Sequence, residues 1–229
     1  MRSWRILTLL PFLITVPALA QSWFETGDAG SLPSIAQAVG TPGPIDVILG
    51  NLDSLTDVDM YLFMIVDPLN FSARTIETGF SITDPQLFLF NASGLGVYMN
   101  DDGNGVAPQS FLEAGDPLGP LSAGIHYLAI GWWNNEPASF LGLVFEQGVG
   151  TNGPDPIGGA APVFAWNDDV TGRIDLPTLY QIELTGVVGI PEPATLWLVG
   201  LALALPAWRR YRPPGGEATR RTSNRTAAL

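Results

Sequence analysis

The chain has 229 residues, no cysteine, no lysine and a formal charge of −12. Without cysteine there is no disulfide framework, thiol nucleophile or cysteine metal site. The charge is uneven: residues 21–190 hold twenty acidic groups against Arg74 and Arg173, a formal −18, which repels nucleic acid and anionic membrane surfaces and attracts cations.

The first segment has the layout of a secretory signal. Arg2 and Arg5 form a basic start, residues 6–16 are apolar, and Ala18-Leu19-Ala20 supplies a small-x-small cleavage site. Residues 1–20 are therefore expected to be a signal peptide removed by signal peptidase, with Gln21 first in the mature chain. An uncleaved N-terminal anchor is the competing reading.

Residues 21–186 suit one domain with its own core. Long helical periodicity is missing, and short apolar or alternating runs are separated by Gly, Pro, Asn and Asp. This pattern predicts strands over 45–49, 60–66, 71–78, 86–91, 96–100, 124–131, 140–147, 162–166 and 179–185. The 60–66 run is apolar at nearly every position, as in a strand covered on both faces. In 71–78 the residues Phe71, Ala73, Thr75 and Glu77 share one face. Asn91-Ala92-Ser93-Gly94 predicts a hairpin turn. Residues 22–43 are weakly patterned, and part of them is expected to cover an edge strand. The Gly- and Pro-rich stretch 148–161 is expected to be a surface loop. The expected fold is all-β, a jelly-roll-like antiparallel β-sandwich flanked by an N-terminal signal helix and a C-terminal hydrophobic helix.

Two groups of oxygen-bearing side chains are candidate metal ligands. Asp57 and Asp59 lie two apart, so a strand points both carboxylates to one face. Asn100, Asp101, Asp102 and Asn104 crowd a turn around Gly103. Hard oxygens at this density can hold Ca²⁺, although Asp, Asn and Gly also serve turns for backbone reasons alone. Asn167-Asp168-Asp169 is expected to be a solvated turn. The ligand candidate is Trp132-Trp133-Asn134-Asn135. Neighbouring strand residues face opposite sides, so one indole is expected in the core, and the other can stack on a sugar where it is exposed; the competing reading is that loops cover both rings. His126 stands alone in an apolar strand and is expected to be structural. No nucleophile elbow, zinc-protease helix or phosphate loop occurs, so no catalytic residues are assigned. A carboxylate-based hydrolase is the remaining enzymatic alternative.

Order within the body carries a resemblance. The stretch 57–63 opens with Asp57-Val58-Asp59. After it come 84–90, then Asn100-Asp101-Asp102-Gly103, then 121–130. Together these resemble the bacterial pre-peptidase C-terminal domain, a jelly-roll β-sandwich attached to exported proteins, over residues 46–146. The resemblance implies calcium in some members; a catalytic domain usually accompanies the family and none is present here.

At the far end, Pro191-Glu192-Pro193 precedes an apolar run, 194–208, and then Arg209, Arg210 and Arg212. Fifteen helical residues reach about 22 Å against a hydrocarbon core of about 30 Å. Proline suits a helix start, and the arginines stay cytoplasmic. This three-part arrangement over 187–212 resembles the PEP-CTERM sorting signal of Gram-negative bacteria. It implies a transmembrane helix at 194–208, cleavage near Pro-Glu-Pro by an exosortase, and delivery to the cell surface or the extracellular polysaccharide matrix. A plain single-pass anchor is the alternative. Residues 213–229 are polar and expected to be disordered. The expected role is thus a non-enzymatic surface or matrix protein, with an exopolysaccharide-binding module as the alternative and polysaccharide as its partner.

Overall fold

The computed structural model describes residues 19, 21–41, 43–79, 82–103, 108–170 and 176–190. They belong to the compact unit Met1–Pro191; a second unit, Glu192–Leu229, lies outside them. So do the expected signal helix and the expected membrane helix at 194–208. Among the described residues no helix is long and apolar enough to cross a membrane.

Among the described residues the chain is built from short strands in this order: β1 Gln21–Phe24, β2 Gln37–Ala38, β3 Ile45–Leu52, β4 Val58–Ile65, β5 Ser72–Thr75, β6 Pro85–Asn91, β7 Gly96–Asn100, β8 Phe111–Leu112, β9 Gly124–Trp132, β10 Pro137–Ser139, β11 Gly142–Leu143, β12 Thr151–Asn152, β13 Ala165–Trp166, β14 Thr178–Thr185 and β15 Val187–Val188. One sheet runs β1-β3-β14-β5-β8. The other large sheet runs β12-β7-β6-β9-β4-β15, with β2 also on β4, and a small third sheet runs β11-β10-β13. Most pairs are antiparallel, but β1 joins β3 and β2 joins β4 in parallel. The expected β-sandwich is what forms, with residues 21–24 and 37–38 supplying edge pairings to the two sheets.

The two sheets face each other across one core. Ile48, Leu52, Ala73, Ile182 and Leu184 from the first sheet meet Tyr61, Phe63, Leu87, Leu89, Leu128 and Ile130 from the second. Alternation sends the intervening residues of the second sheet, Val58, Met60, Phe88, Phe90 and Ala129, to its outer face. That face is also buried, because Val144, Phe145, Val163 and Trp166 fold over it. Phe88 packs edge-on against Trp166 with centroids 5.3 Å apart, and Phe90 lies 5.5 Å from Phe145. This second layer is why β4, β6 and β9 have apolar residues on both faces.

The cover corrects two expectations. Residues 140–147 do not form one strand. The short β10 and β11 pair with each other, and Phe145 makes an isolated bridge to Pro154. The loop 148–161 contains β12, which pairs β7. The hairpin at Asn91 forms as expected. Asn91 Oδ1 accepts from the Ser93 and Leu95 amides at 2.9 and 3.2 Å, and Gly94 takes a φ of 76° that a side chain would resist.

Candidate functional site

The first acidic centre sits where the two sheets meet the N-terminal strand. Glu25 follows β1, Asp28 lies in the next loop, and Asp57 and Asp59 flank the start of β4. Carboxylate oxygens of Asp28, Asp57 and Asp59 lie within 4.8 Å of one another. Backbone amides orient their neighbours. Glu25 accepts from Ala29 at 3.1 Å and from Asn51 at 2.8 Å, Asp57 from Asp53 at 2.6 Å, and Asp28 from Gly30 at 2.9 Å.

Asp59 is fully buried. Its Oδ2 accepts from the Tyr180 hydroxyl of β14 at 2.5 Å, and Tyr180 is in turn bonded to Tyr61. This chain of hydroxyls ties the two sheets together. Asp59 Oδ1 is buried with no hydrogen-bond partner. Burial pushes the Asp59 carboxyl up to about 8; the Tyr180 bond opposes this, and Glu25, Asp57 and Asp28 add repulsion. Burial also raises Glu25 and Asp57, partly offset by their backbone bonds. Among the described residues the basic groups are Arg74, paired with Glu183 at 2.7 Å, and His126. A hard divalent cation fits this donor set: several carboxylates converge, one buried oxygen lacks a donor, and no cationic side chain among the described residues is paired with them. Asp28, Asp57 and Asp59 are the residues that would hold Ca²⁺, with Glu25 adding negative charge beside them.

Glu25, Asp28 and Tyr180 were not legible as site residues. Glu25 reaches Asn51 only because β1 lies parallel to β3, and Tyr180 reaches Asp59 only because two sheets face each other. Gly50 is part of the same fit. It sits opposite Tyr180 in the β3–β14 register, and a Cβ there would fall 2.2 Å from Tyr180 Oη and 2.7 Å from Glu25 Oε2.

The other candidate residues gather at a separate place. The pairing of β6 with β7 sets Asp84, before β6, beside Asp101 and Asp102, after β7. Oxygens of these three carboxylates again lie within 4.8 Å of one another. Asn100 takes a different part: its Oδ1 accepts from the Phe111 amide at 2.6 Å, and its Nδ2 donates to Thr151 Oγ1 at 3.1 Å. Its amide holds strands together. Asn104 lies outside the described residues.

A cleft of about 330 Å³ opens beside Asp101, bordered also by Gln86, Trp133, Asn134 and Glu136. Alternation divides the tryptophans, and loops do not cover both: Trp132 is 7 % exposed in the core and Trp133 is 43 % exposed. The asparagines are committed to the loops. Asn134, at a φ of 70°, donates Nδ2 to Asp169 O at 2.6 Å. Buried Asn135 donates to Thr56 O and accepts from the Asp168 amide, both at 3.1 Å. Glu136 accepts from Gln86 at 2.8 Å, and burial raises it. Burial also lifts Asp101 to about 7, with repulsion from Asp102, Asp84 and Glu136; a hydrogen bond from Trp133 opposes this. His126 contacts the Gly124 carbonyl through Nδ1 at 3.0 Å, and burial lowers it.

The body's hydrogen bonding continues to Ile190, whose amide donates to Val39 O at 2.7 Å. The sorting-signal residues Pro191, Glu192, Pro193, Arg209, Arg210 and Arg212 lie outside the described residues, as do Ala18 and Ala20. No curated protein and no solved structure matches the chain. The family model of the PEP-CTERM protein-sorting motif matches residues 189–211, a span that holds Pro-Glu-Pro, the apolar run and the first two arginines. The chain carries a PEP-CTERM sorting motif, and is an exported protein that exosortase sorts to the surface of a Gram-negative cell.

Proposed function

We propose that the exported body is a non-enzymatic surface or matrix domain, closed by a calcium ion held by Asp28, Asp57 and Asp59. The observation that carries this reading is the fully buried Asp59, whose Oδ1 has no partner in a cluster of carboxylates. A buried carboxylate in that setting stays uncharged or acquires a cation, and extracellular calcium is abundant enough to fill sites of about 0.1–1 mM. The pre-peptidase C-terminal resemblance supports it too, since three of its four stretches fall on β4, β6 and β9 of one sheet and the fourth follows β7. Calcium added to the metal-stripped mature protein should raise its melting temperature by several degrees, read by thermal denaturation. An unchanged melting temperature at millimolar calcium would remove the reading.

A polysaccharide-binding module is the second reading, favoured by the exposure of Trp133 at the mouth of the cleft. Wild-type protein should then be retarded in gels containing the cell's own exopolysaccharide, and Trp133→Ala should migrate as in empty gels. Equal retardation of both would exclude the cleft. Release of reducing ends would move it to the carboxylate-hydrolase alternative, because Asp101 and Glu136 line the same cleft.

A further inference from the structure

We propose that Asp84, Asp101 and Asp102 form a second divalent-cation site, of hard-oxygen type suited to Ca²⁺, at the edge of the cleft beside Trp133. It goes beyond the closure of the body at Asp59, which uses other residues on other strands.

Three observations carry it. Carboxylate oxygens of the three residues lie within 4.8 Å of one another, so the site gathers like charges that a cation would neutralise. Asp101 is only 7 % exposed, and its Oδ1 is buried without a hydrogen-bond partner. A buried, unsatisfied carboxylate oxygen costs free energy that a bound cation recovers. The backbone around the cluster is also fixed in advance. Ser110 Oγ lies 2.6, 2.9 and 2.8 Å from the carbonyl oxygens of Pro85, Asn100 and Asp101, and the Trp133 amide donates to Asp84 O at 2.9 Å. Little ordering is left for binding to do.

The choice of Ca²⁺ over Mg²⁺ follows from the donors. The ligands come from two chain segments with carboxylates that can bind in one- or two-oxygen modes, which Ca²⁺ tolerates and the stricter octahedron of Mg²⁺ does not. The site also has a built-in reporter. A hydrogen bond links Trp133 to the Asp101 carboxylate, so a cation on Asp101 changes the surroundings of a half-exposed indole.

The test uses metal-stripped mature protein, calcium chloride in a calorimeter, and terbium luminescence excited through tryptophan. Wild type is expected to take up two Ca²⁺ per chain, and Asp101→Asn and Asp102→Asn one each. Trp133→Phe should still take up two, but with terbium emission reduced at least several-fold. Asp59→Asn, in which the other site is impaired, should keep the Trp133-dependent emission. The same stoichiometry in wild type, Asp101→Asn and Asp102→Asn would overturn the proposal, whether one or two. So would terbium emission that Trp133→Phe leaves intact. Uptake of one Ca²⁺ by both wild type and Asp59→Asn, lost in Asp101→Asn and with the Trp133 signal retained, overturns the closure reading and leaves this one standing.

Discussion

Asp59→Asn is expected to cut the calcium response of the melting temperature to what the Asp101 site alone supplies, and to reduce the pH dependence of the metal-free protein to the part that Asp101 contributes. In the metal-free fold the Asp59 carboxyl is pushed up to about 8, chiefly by burial, against about 3.9 in an unfolded chain. Below about pH 4 both states are protonated and this contribution to stability is fully present. As pH rises toward 8 the native state holds a proton that the unfolded state has released, so stability falls, by at most about 1.4 kcal/mol per pH unit. Calcium acts in the opposite sense, since it binds the ionised carboxylates and its stabilisation grows with pH. At about a hundred times its dissociation constant it contributes about 2.7 kcal/mol, or about 5–10 °C for a domain of this size. Thermal melts at pH 5, 7 and 9, with calcium or with chelator, read both effects. A calcium shift of undiminished size in Asp59→Asn would contradict the assignment of the ligand.

The second large effect is expected at Gly50. Its backbone is ordinary extended strand, so alanine is disfavoured there only by what it would meet. A Cβ would fall 2.2 Å from Tyr180 Oη, 2.4 Å from Tyr180 Cζ and 2.7 Å from Glu25 Oε2. Tyr180 cannot move away without releasing Asp59 and Tyr61. Overpacking of this kind costs about 1–3 kcal/mol, and a shifted Tyr180 would disturb Asp59 and so weaken calcium binding as well. Gly50→Ala is therefore expected to melt several degrees lower and to bind calcium at least ten-fold more weakly, measured on the same samples. A variant that matches wild type in both would mean that the strands shift freely around Gly50.

The sequence pattern revealed the central strands well, for a physical reason. β4, β6 and β9 are covered on both faces, so their runs are apolar almost throughout, and the alternation in 71–75 follows one buried face. The edges were harder. β1, β2, β12 and β15 are short and gain their place from partners far away in the chain, which local propensity does not register. Residues 140–147 look like a strand because Val144 and Phe145 are apolar, but those side chains serve as a lid over Phe88 and Phe90. The candidate sites divide in the same way. Asp57 with Asp59, and Asp101 with Asp102, were visible through their spacing, while Asp28 and Asp84 join them through tertiary pairing alone. The amides of Asn100, Asn134 and Asn135 had the right chemistry for ligands but are used to hold loops and strands.

Delivery to the cell surface rests on residues 189–211, and it can be tested without knowing any ligand. The full chain would be expressed with and without a cognate exosortase, and the mature product located and weighed by mass spectrometry. The expected product begins near Gln21, ends near Pro-Glu-Pro, and reaches the surface or medium only when the exosortase is present. A product that keeps residues 194–212 in the membrane under both conditions would contradict sorting and make the C-terminal segment a plain anchor.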